Sequence, residues 1–444
     1  MSSPSKTDFG PFNYVRRWDE WRSERGFWHS FELPDGKLIR GANPLEGQKR
    51  RLAQFPIPDR LDGKRVLDIG AWDGWFSFEM ERRGADVMAI DCWDNPRFHE
   101  IHEILRSRVD YRQLDVYELT PERIGRFDIV LFLGVLYHLK HPLLALERVC
   151  ALTTDLAAVD SFILREEHRP GTAVDQRPVM EFYETDEFGG QTDNWVGPSL
   201  PCLLAFCRTA GFARVEWRST LEHSACIACH RRWEEPETAG EPPVLRDVFH
   251  HTNFGINFRS DADDYLVVSF ESQAKRLGIE DVKPEAGGFG VRPIEVARRD
   301  QQWQAKFKLP PGLKSGWQDV TVRTGSSGRS GALRIAVDMP APADTLVVGS
   351  VCDGKTWKPN EIDLNQGDSI AIWIAGLPEN ADKNNVRAFL DGKRIAVLYV
   401  EPPKAKDARQ VNAALPSGVP PGMREVTVSL GTVVSDPASV RVVG

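Results

Sequence analysis

The 444-residue sequence predicts an α/β domain with a doubly wound parallel sheet, followed by two all-β sandwich modules. Short apolar segments alternate with amphipathic segments from Arg65 to about Arg232, which is the pattern of repeated strand–helix units. Beyond residue 244 the pattern changes to alternating apolar and polar positions between Pro, Gly and Asp turns. The first half is therefore predicted to be Rossmann-like, with ligands bound at the carboxyl ends of its strands.

The elements of the first half are predicted one by one from their hydrophobic periodicity. The continuous apolar run Phe127–Leu133 is typical of a central strand buried on both faces. The other predicted strands are Arg65–Gly70, Asp86–Asp91, Val109–Leu114, Leu156–Leu164, Arg214–Ser219 and Ala225–His230. The predicted helices are Asp73–Gly84, Phe98–Ser107, His141–Leu152 and Leu200–Gly211.

The second half contains an internal repeat. Leu309–Asp338 parallels Leu415–Val443: each has a Leu-Pro pair, a Gly turn, a Val-Thr-Val strand and a closing strand. Duplication at this spacing predicts two related immunoglobulin-like sandwiches. The predicted organisation is therefore a first domain over residues 1–233, an acidic linker over 234–244, and β modules over 245–340 and 341–444.

Charge and composition narrow the possible functions. The net charge of −8 lies in residues 1–240, and the remainder is neutral. Because phosphate backbones are held chiefly by Lys and Arg, an acidic first half makes a nucleic-acid partner unfavourable. We expect no signal peptide and no membrane span, and the seven cysteines lack disulfide-scaffold spacing, which predicts a reducing cytoplasm.

The segment Val66–Gly74 (VLDIGAWDG) is the strongest local motif. Gly70 permits a tight strand-to-helix turn, and Gly74 permits close packing of the helix on the strand. The helix N-terminus can meet the carboxylate of S-adenosylmethionine (SAM), and Asp68 can meet its ammonium group. The motif alone also fits a dinucleotide site, although the bulk of Trp72 argues against close packing of a pyrophosphate.

Two further acidic residues follow strands at the positions that a nucleoside requires. Asp91 ends the second strand and can accept both ribose hydroxyls. Asp115 follows the third strand and can accept from the adenine amino group, while Val116 packs on the ring. Each residue could instead be an ordinary turn or cap residue.

The loop after the fourth strand, Phe132–Leu139 (FLGVLYHL), gives the class. Here the chain resembles the SAM-dependent methyltransferase family related to the tRNA uridine-34 5-oxyacetic acid (carboxymethoxyuridine) synthases. In that family this loop reads G-V-L-Y-H-L or close to it, and the first motif often reads D-I-G-x-x-D-G. The resemblance includes His29–Gly36, Met180–Tyr183 and Asn194–Trp195, and it covers about residues 10–232.

The resemblance implies roles for particular residues. The cofactor is expected to contact Asp68, Gly70, Trp72, Gly74, Asp91, Asp115, Val116 and Gly134, with Tyr137 and His138 facing the transferred group. Members that modify tRNA use a carboxylated SAM, which is met in part by a Lys in a P-W-R-K-G-P-F-like segment. Residues 39–45 read IRGANPL and lack that segment, so we expect plain SAM.

Candidate acceptor contacts come from the same motifs. His138 is the first candidate for a general base, since the pKa of histidine lies near neutrality. His138 could instead only hydrogen-bond the loop. His29 and Glu181 are weaker candidates, and Tyr183 and Trp195 could wall the acceptor pocket, although residues at such places are more often structural. The favoured function is methylation of a small molecule or glycan-type acceptor, on oxygen.

Two alternatives remain open at this point. The chain could modify tRNA, or it could be a SAM-binding scaffold whose β modules bind a protein or polysaccharide. The modules could also mediate homo-oligomerisation.

Two other signals are given little weight. Cys226–His230 (CIACH) matches a haem-attachment motif, but alternate residues of a strand face opposite sides, so no metal or haem is expected. The aromatic and basic stretch Tyr14–Arg22 could be a nucleic-acid-binding arm, but charges of both signs surround its tryptophans. Trp18 and Trp21 are instead predicted to lie on one face of an amphipathic helix over the mouth of the site.

Overall fold

The computed structural model describes residues 26–237, 239–252, 256–299, 302–338, 346–403 and 408–444. The predicted helix carrying Trp18 and Trp21 lies outside these residues. The chain divides into two compact units, the first formed by Met1–Glu234 with Pro310–Gly312 and the second by Glu235–Leu309 with Leu313–Gly444. Among the described residues, no helix is both long and apolar enough to cross a membrane.

The first unit begins with a small four-stranded region. Its strands are β1 (Phe27–His29), β2 (Phe31–Glu32), β3 (Leu38–Ile39) and β4 (Gly41–Asn43), followed by helix α1 (Leu45–Leu52). β2 and β3 form the strand–turn–strand predicted around residues 29–36, and β1 pairs in parallel with β4.

A seven-stranded sheet forms the centre of this unit. Its elements in chain order are β5 (Arg65–Ile69), α2 (Trp75–Arg82), β6 (Asp86–Asp91), α3 (Pro96–Leu105), β7 (Asp110–Gln113), α4 (Pro121–Ile124), β8 (Phe127–Leu133), α5 (Pro142–Leu152) and β9 (Thr153–Phe162), then the short strands β10 (Met180–Phe182) and β11 (Val196–Pro198), α6 (Leu200–Thr209), β12 (Arg214–Leu221) and β13 (Ser224–His230). β10 and β11 pair with each other outside the sheet.

The strand order is β12-β13-β9-β8-β5-β6-β7, and six strands are parallel. The Rossmann-like, doubly wound prediction is confirmed, with one correction: β13 runs antiparallel to both neighbours. Glu222 and His223 form a tight turn between β12 and β13, and Glu222 adopts a left-handed φ of 55° that reverses the chain. The chain leaves β5 toward β6 on one side and β8 on the other, so the sheet has its switch point between β5 and β8.

Both faces of the sheet are covered by apolar packing. Along β8, Val130 and Phe132 belong to one buried cluster, whereas Ile129 and Leu131 belong to the other. The prediction that this strand is buried on both faces is confirmed. Helix α3 begins at a capped end, where the Asn95 side chain accepts from the backbone N–H of Arg97 at 3.0 Å and Pro96 occupies the first turn.

The second unit contains the repeated β modules. The first has strands β14 (Val244–His250), β15 (Asn257–Phe258), β16 (Tyr265–Glu271), β17 (Val282–Ala286), β18 (Phe289–Gly290), β19 (Glu295–Arg299), β20 (Gln302–Lys308), β21 (Gly316–Thr324) and β22 (Leu333–Val337). The second has β23 (Val347–Asp353), β24 (Glu361–Asp363), β25 (Ser369–Ala375), β26 (Val386–Leu390), β27 (Lys393–Ile395), β28 (Val397–Val400), β29 (Ala408–Ala414), β30 (Gly422–Leu430), β31 (Val433–Val434) and β32 (Ala438–Val443).

The two modules share one topology. The sheet order β14-β16-β20-β19 corresponds to β23-β25-β29-β28, and β15-β22-β21-β17-β18 corresponds to β24-β32-β30-β26-β27, with β31 added beside β30. Each pair of sheets encloses an apolar cluster, and Ile256 of the first module joins the cluster of the second. The sequence repeat therefore reflects a duplicated sandwich.

Candidate active site

A cavity of about 1540 Å³ opens at the carboxyl ends of β5, β6 and β8. We call it the central cavity. Its walls come from the turns after these strands, from β1, from the β12–β13 turn and from the insert, which is residues 163–199 between β9 and α6. Parallel sheets bind ligands at this edge, and the cavity lies at the switch point of this sheet.

The turn after β5 is shaped by glycine. Gly70 has a φ of 75°, and a Cβ at this position would overlap Cγ2 of Val135 in the loop after β8. The turn therefore requires glycine for its backbone conformation and for its contact with the second loop. Gly70, Gly134 and Val135 all line the central cavity, so the two motif loops share one space.

Asp68 presents a buried carboxylate at the floor of the cavity. Its Oδ2 accepts from the Ser77 hydroxyl at 2.6 Å, and it is 3% exposed. Burial raises the pKa of Asp68 to about 6, against the opposing effects of the Ser77 hydrogen bond and of His29. A raised pKa in a cavity marks a group that is poorly solvated without a ligand.

Asp91 is held by the backbone on both sides. Its Oδ2 accepts from the Trp72 N–H at 3.0 Å and its Oδ1 from the Trp93 N–H at 3.1 Å. Burial raises the pKa of this carboxyl. Each oxygen can accept a second hydrogen bond, so the pair can still receive two hydroxyl groups. Trp72 takes a left-handed φ of 53°, and its indole ring packs 5.3 Å from that of Trp93.

Asp115 and Val116 line the cavity beside these residues. Asp115 caps a short 3₁₀ turn, where its Oδ1 accepts from the Tyr117 N–H at 2.9 Å. Val116 is 6% exposed and belongs to the apolar core. The three predicted acidic positions thus border one cavity.

The loop after β8 carries Tyr137 and His138 in a 3₁₀ turn. The His138 Nδ1 lies 3.1 Å from the backbone carbonyl oxygen of Asp193. Because a carbonyl oxygen can only accept, Nδ1 carries the proton and Nε2 of the neutral ring keeps its lone pair. Burial lowers the pKa of His138, with Asp193 opposing the effect. Both residues line the central cavity.

The insert is tied to this loop and closes the cavity on one side. The Trp195 N–H donates to the Tyr137 carbonyl at 2.8 Å, and the Lys140 ammonium lies 4.1 Å from the centroid of the Trp195 ring. Phe188 packs on Phe162, with 4.2 Å between the two ring centroids. These aromatic side chains line the central cavity together with the turn after β5.

Three predicted contact residues lie outside the cavity lining. A Cβ on Gly74 would lie 2.6 Å from Phe78 and 2.7 Å from Phe98, so this glycine permits close packing of the helix. Glu181 forms a paired hydrogen bond with Arg169 at 2.7 and 2.8 Å. Tyr183 is buried and stacks on Phe188. All three are therefore in contact with neighbouring side chains of the protein, and their direct contact with cofactor or acceptor stays a prediction.

The helix that follows Gly74 was predicted to present its N-terminus to the cofactor. From its first turn Phe76 lines the cavity, together with Ala71 and Trp72 of the preceding turn, and the contact of the helix N-terminus with the cofactor stays a prediction. His29 and Trp195 do line the cavity.

Two pairs of side chains at the cavity, one of them an ion pair, were not found from sequence. Arg51 on α1 binds Asp160 on β9 through two atoms, with Nε 3.0 Å from Oδ2 and Nη2 on Oδ1. Asp73, fully buried, binds Nδ1 of His29. A lone Asp within the apolar strand 156–162 was a usable signal for Asp160, whereas nothing local marks Arg51.

Two groups of cysteine, histidine and glutamate side chains bear on the prediction that the chain binds no metal. Cys226 and Cys229 belong to apolar clusters on opposite faces of the sheet, so they cannot share a ligand. Glu167, His168 and His223 bring their ligand atoms within 4.8 Å of one another. However, Nδ1 of His168 accepts from the Arg165 N–H at 3.0 Å, so Nε2 of the neutral ring carries a proton and cannot bind a metal. That no metal is needed stays a prediction.

Comparison with known proteins agrees with the geometry. The family described as a methyltransferase domain matches residues 45–159. The ubiquinone biosynthesis O-methyltransferase of Acinetobacter baumannii is 38% identical over 86 residues, covering 18% of this chain and 36% of the relative. The tRNA U34 carboxymethyltransferase of Pseudomonas fluorescens is 29% identical over 162 residues, covering 35% of this chain and 47% of the relative. The chain thus spans less than half the length of these curated relatives.

The N-terminal domain of EvdMO1, solved in the presence of S-adenosylhomocysteine (SAH) and D-fucose, is a structural neighbour. It is 20% identical, with a TM-score of 0.35, and the match covers 51% of this chain and 98% of that one. At this score it adds no argument about function. The family match, the strand order and the cavity at the switch point together define a class I, SAM-dependent methyltransferase domain.

Proposed function

We propose that the chain transfers the methyl group of SAM to an oxygen of a small-molecule or glycan-type acceptor. The observation that carries the proposal is the single cavity shared by the turn after β5 and the loop after β8. The ends of β5, β6 and β7 offer the acidic residues that a charged nucleoside needs, and the loop after β8 offers an imidazole with an available lone pair. Methyl transfer requires the acceptor atom to lie at near-attack distance from the methyl carbon, so both ligands must occupy one space.

The residues present fit SAM as cofactor. Asp68 would meet the ammonium group, Asp91 the ribose hydroxyls, and Asp115 with Val116 the adenine. A buried carboxylate with a raised pKa gains by meeting a cation, which supports this role for Asp68. When bound, SAM supplies a methyl group activated by a neighbouring sulfonium charge.

The part of the cavity lined by the loop after β8, the insert and the β12–β13 turn suits a compact acceptor. Its aromatic side chains can pack on a ring, and polar groups lie among them. The residues concerned are Tyr137, Phe162, Phe188, Gln191, Trp195, Glu222 and His223. The name of the Acinetobacter relative also supports an oxygen acceptor.

His138 is proposed as the general base. With Nδ1 held by the Asp193 carbonyl, Nε2 can accept the hydroxyl proton of an acceptor in the cavity. The lowered pKa keeps the imidazole neutral at physiological pH, which is the form that accepts a proton. Tyr137 would orient the acceptor beside it.

Modification of tRNA is the second candidate, because the Pseudomonas relative carries that name. Against it, Arg51 is already bound to Asp160 and Lys140 packs on Trp195, and the first half of the chain is acidic. Phosphate contacts make tRNA binding strongly dependent on salt, so binding at 50 mM that falls at 200 mM salt would favour this candidate.

The test joins binding with turnover. Calorimetry with SAH comes first, and absence of binding would refute the use of SAM. Purified chain is then incubated with SAM and separate pools of sugars, phenols and tRNA, and products are detected as a methyl-mass increase. The variant His138→Asn, which keeps a donor for the Asp193 carbonyl, is expected to bind SAH normally and to lose turnover. Methylation of tRNA alone would replace the small-molecule proposal.

A cytoplasmic setting belongs to this proposal, since all seven cysteines are free thiols. The β modules are proposed to recruit the acceptor or to join copies of the chain. If no acceptor is methylated while the modules bind a glycan or protein, the chain would instead act as a SAM-binding scaffold.

A further inference from the structure

We infer that Arg51 donates hydrogen bonds to both oxygens of a neutral vicinal diol, one of which receives the methyl group. A vicinal diol carries hydroxyl groups on two neighbouring carbon atoms. The inference rests on the proposed function, because it names the class of acceptor that the central cavity takes.

Arg51 is held in one orientation and keeps part of its guanidinium for a ligand. Its Nε donates to Oδ2 of Asp160 at 3.0 Å, and its Nη2 donates to Oδ1. A guanidinium has five N–H bonds in a rigid fork, so three of them, on the edge formed by Nη1 and Nη2, have no partner among the residues that the structure describes. The Arg51 side chain is 22% exposed and lines the central cavity. It therefore offers a two-pronged donor to a group inside the cavity.

This donor edge lies beside the loop that carries the proposed base. A Cβ built on Gly134 would lie 3.6 Å from Nη2 of Arg51 and 3.7 Å from the Tyr137 hydroxyl, so both groups approach the same side of this glycine. The centroid of the Tyr137 ring lies 4.3 Å from that of His138. A ligand group held by Arg51 is therefore placed next to Tyr137, the neighbour of the residue proposed to remove the acceptor proton.

The charges around this edge favour a neutral ligand. Asp160 already balances the charge of Arg51. In the part of the lining formed by the loop after β8, the insert and the β12–β13 turn, Lys140 is positive, whereas Asp193 and Glu222 are negative. A carboxylate ligand would add a further negative charge to this part, whereas hydroxyl oxygens accept hydrogen bonds without one. Two N–H donors side by side match two oxygens on neighbouring carbons, so a vicinal diol fits better than a single hydroxyl.

Arg51 also has a role in the transfer itself. The diol oxygen forms a bond to the methyl carbon as the sulfur–carbon bond breaks, the sulfonium charge disappears, and the hydroxyl proton moves to Nε2 of His138. Negative charge builds up on the oxygen as the proton leaves, and a guanidinium N–H stabilises it. Arg51 thus both selects the diol and assists its deprotonation.

The test measures the affinity of the SAH-loaded full chain for pairs of probes that differ by one hydroxyl. Catechol is compared with phenol, and methyl α-mannoside, which has a cis diol, with its 2-deoxy analogue. Ligand NMR titration should show about 10- to 100-fold tighter binding of at least one diol, the usual gain from a hydrogen bond to a charged group. The pair that shows the preference identifies the acceptor as a phenolic ring or a sugar ring.

The variant Arg51→Met with Asp160→Leu removes the guanidinium without leaving a buried carboxylate, and it should abolish the diol preference with SAH affinity unchanged. Arg51→Lys is the second variant, because an ammonium group still balances Asp160 but lacks the two-pronged edge, and it should reduce the preference about tenfold. The matched control is Arg83→Met with Glu79→Leu. It removes a pair whose Nε and Oε1 lie 3.0 Å apart, outside the cavity lining, and should change neither quantity.

Equal binding of diol and single-hydroxyl probes to the wild type, no binding of any diol, or a preference that survives in both Arg51 variants would overturn the inference. Benzoate and benzamide are compared in the same titrations. A preference for benzoate that Arg51→Lys weakens would show that Arg51 holds a carboxylate, which overturns the neutral diol as well. Calorimetry with SAH separates the two levels: absence of SAH binding to the wild type refutes the proposed function, whereas normal SAH binding without a diol preference removes only the inference.

Discussion

Gly70 and Val135 are in contact and join the two loops that form the site. A Cβ added at position 70 would overlap the Val135 side chain. The turn after β5 and the loop after β8 are therefore placed relative to each other by direct packing. Any side chain at position 70 must displace the loop that carries Tyr137 and His138.

The variant Gly70→Ala should weaken SAH binding by at least about tenfold. Alanine in the left-handed region costs roughly 1–2 kcal/mol, and the overlap with Val135 adds to this. Gly63→Ala is the matched control, because Gly63 has a φ of 73° and no atom within 4 Å of an added Cβ. Calorimetry should show normal SAH affinity for Gly63→Ala. Equal affinities for the two variants would contradict a packed junction.

Asp68 should make the ligand-free chain less stable at neutral pH. Its folded pKa of about 6 exceeds the ordinary value of 3.8, so the stabilisation from protonation is complete below pH 3.8 and lost as pH rises through 6. Asp68→Asn should therefore raise the free energy of unfolding by roughly 1–3 kcal/mol at pH 8 and change it little at pH 4.

The same substitution should weaken SAH binding, since the acceptor for the ammonium group loses its charge. In the wild type, affinity should fall as pH drops from 7.5 to 5. Thermal unfolding and calorimetry at both pH values measure the two effects. A pH-independent affinity would show that Asp68 does not meet the ammonium group.

The neutral tautomer of His138 is a direct prediction of the hydrogen bond to the Asp193 carbonyl. Nitrogen NMR should find the proton on Nδ1 and a titration midpoint below 6.5, because burial lowers the pKa. Asp193→Asn keeps the carbonyl and removes a carboxylate 3.8 Å from Nδ1, so it should lower the midpoint further. A proton on Nε2, or a midpoint above 6.5, would remove His138 as the proposed base.

Sequence pattern was sufficient for the central strands of the sheet because β5, β6 and β8 are short, largely apolar runs between turn residues. The reversal at β13 was not predictable, because the Glu222–His223 turn lacks the Asn-Gly or Asp-Gly chemistry that marks a tight hairpin. The three acidic positions at strand ends were predicted because their spacing follows from the fold.

The pairs that complete the site could not be read in the same way. Arg51 and Asp160 are 109 positions apart, and His29 and Asp73 are 44 apart. No local periodicity connects residues at such separations. They meet only because α1 and β1 pack over the carboxyl edge of the sheet.

No stoichiometric metal is expected in the purified chain. The Glu167 Oε1 lies 3.9 Å from Nε2 of His168 and 3.7 Å from Nδ1 of His223, but the hydrogen bond from the Arg165 N–H leaves the His168 Nε2 protonated. Elemental analysis measures this directly, with and without added zinc. Bound zinc at one equivalent that is lost in His223→Ala would overturn the prediction.

Arg51 and Asp160 should be strongly coupled in stability. Asp160 is fully buried, whereas the Arg51 side chain is 22% exposed. Burial opposes the charge on Arg51, yet Asp160 raises the pKa of the guanidinium above its ordinary value. Arg51→Met leaves a buried carboxylate without its cation and should cost about 3–5 kcal/mol, since breaking such a pair exposes the full desolvation penalty. Asp160→Asn should cost less, because the freed guanidinium can reach water through the cavity.

The double variant Arg51→Met with Asp160→Leu should recover most of the loss, since replacing a buried pair by apolar groups is often neutral. Thermal unfolding measures the stability of the three variants. Because a bound ligand stabilises the unit that binds it, the transition that SAH shifts in the wild type is the unfolding of the first unit. If the double variant loses as much stability as the two single variants together, the two residues act independently. That outcome would contradict the coupling expected from their two-atom contact.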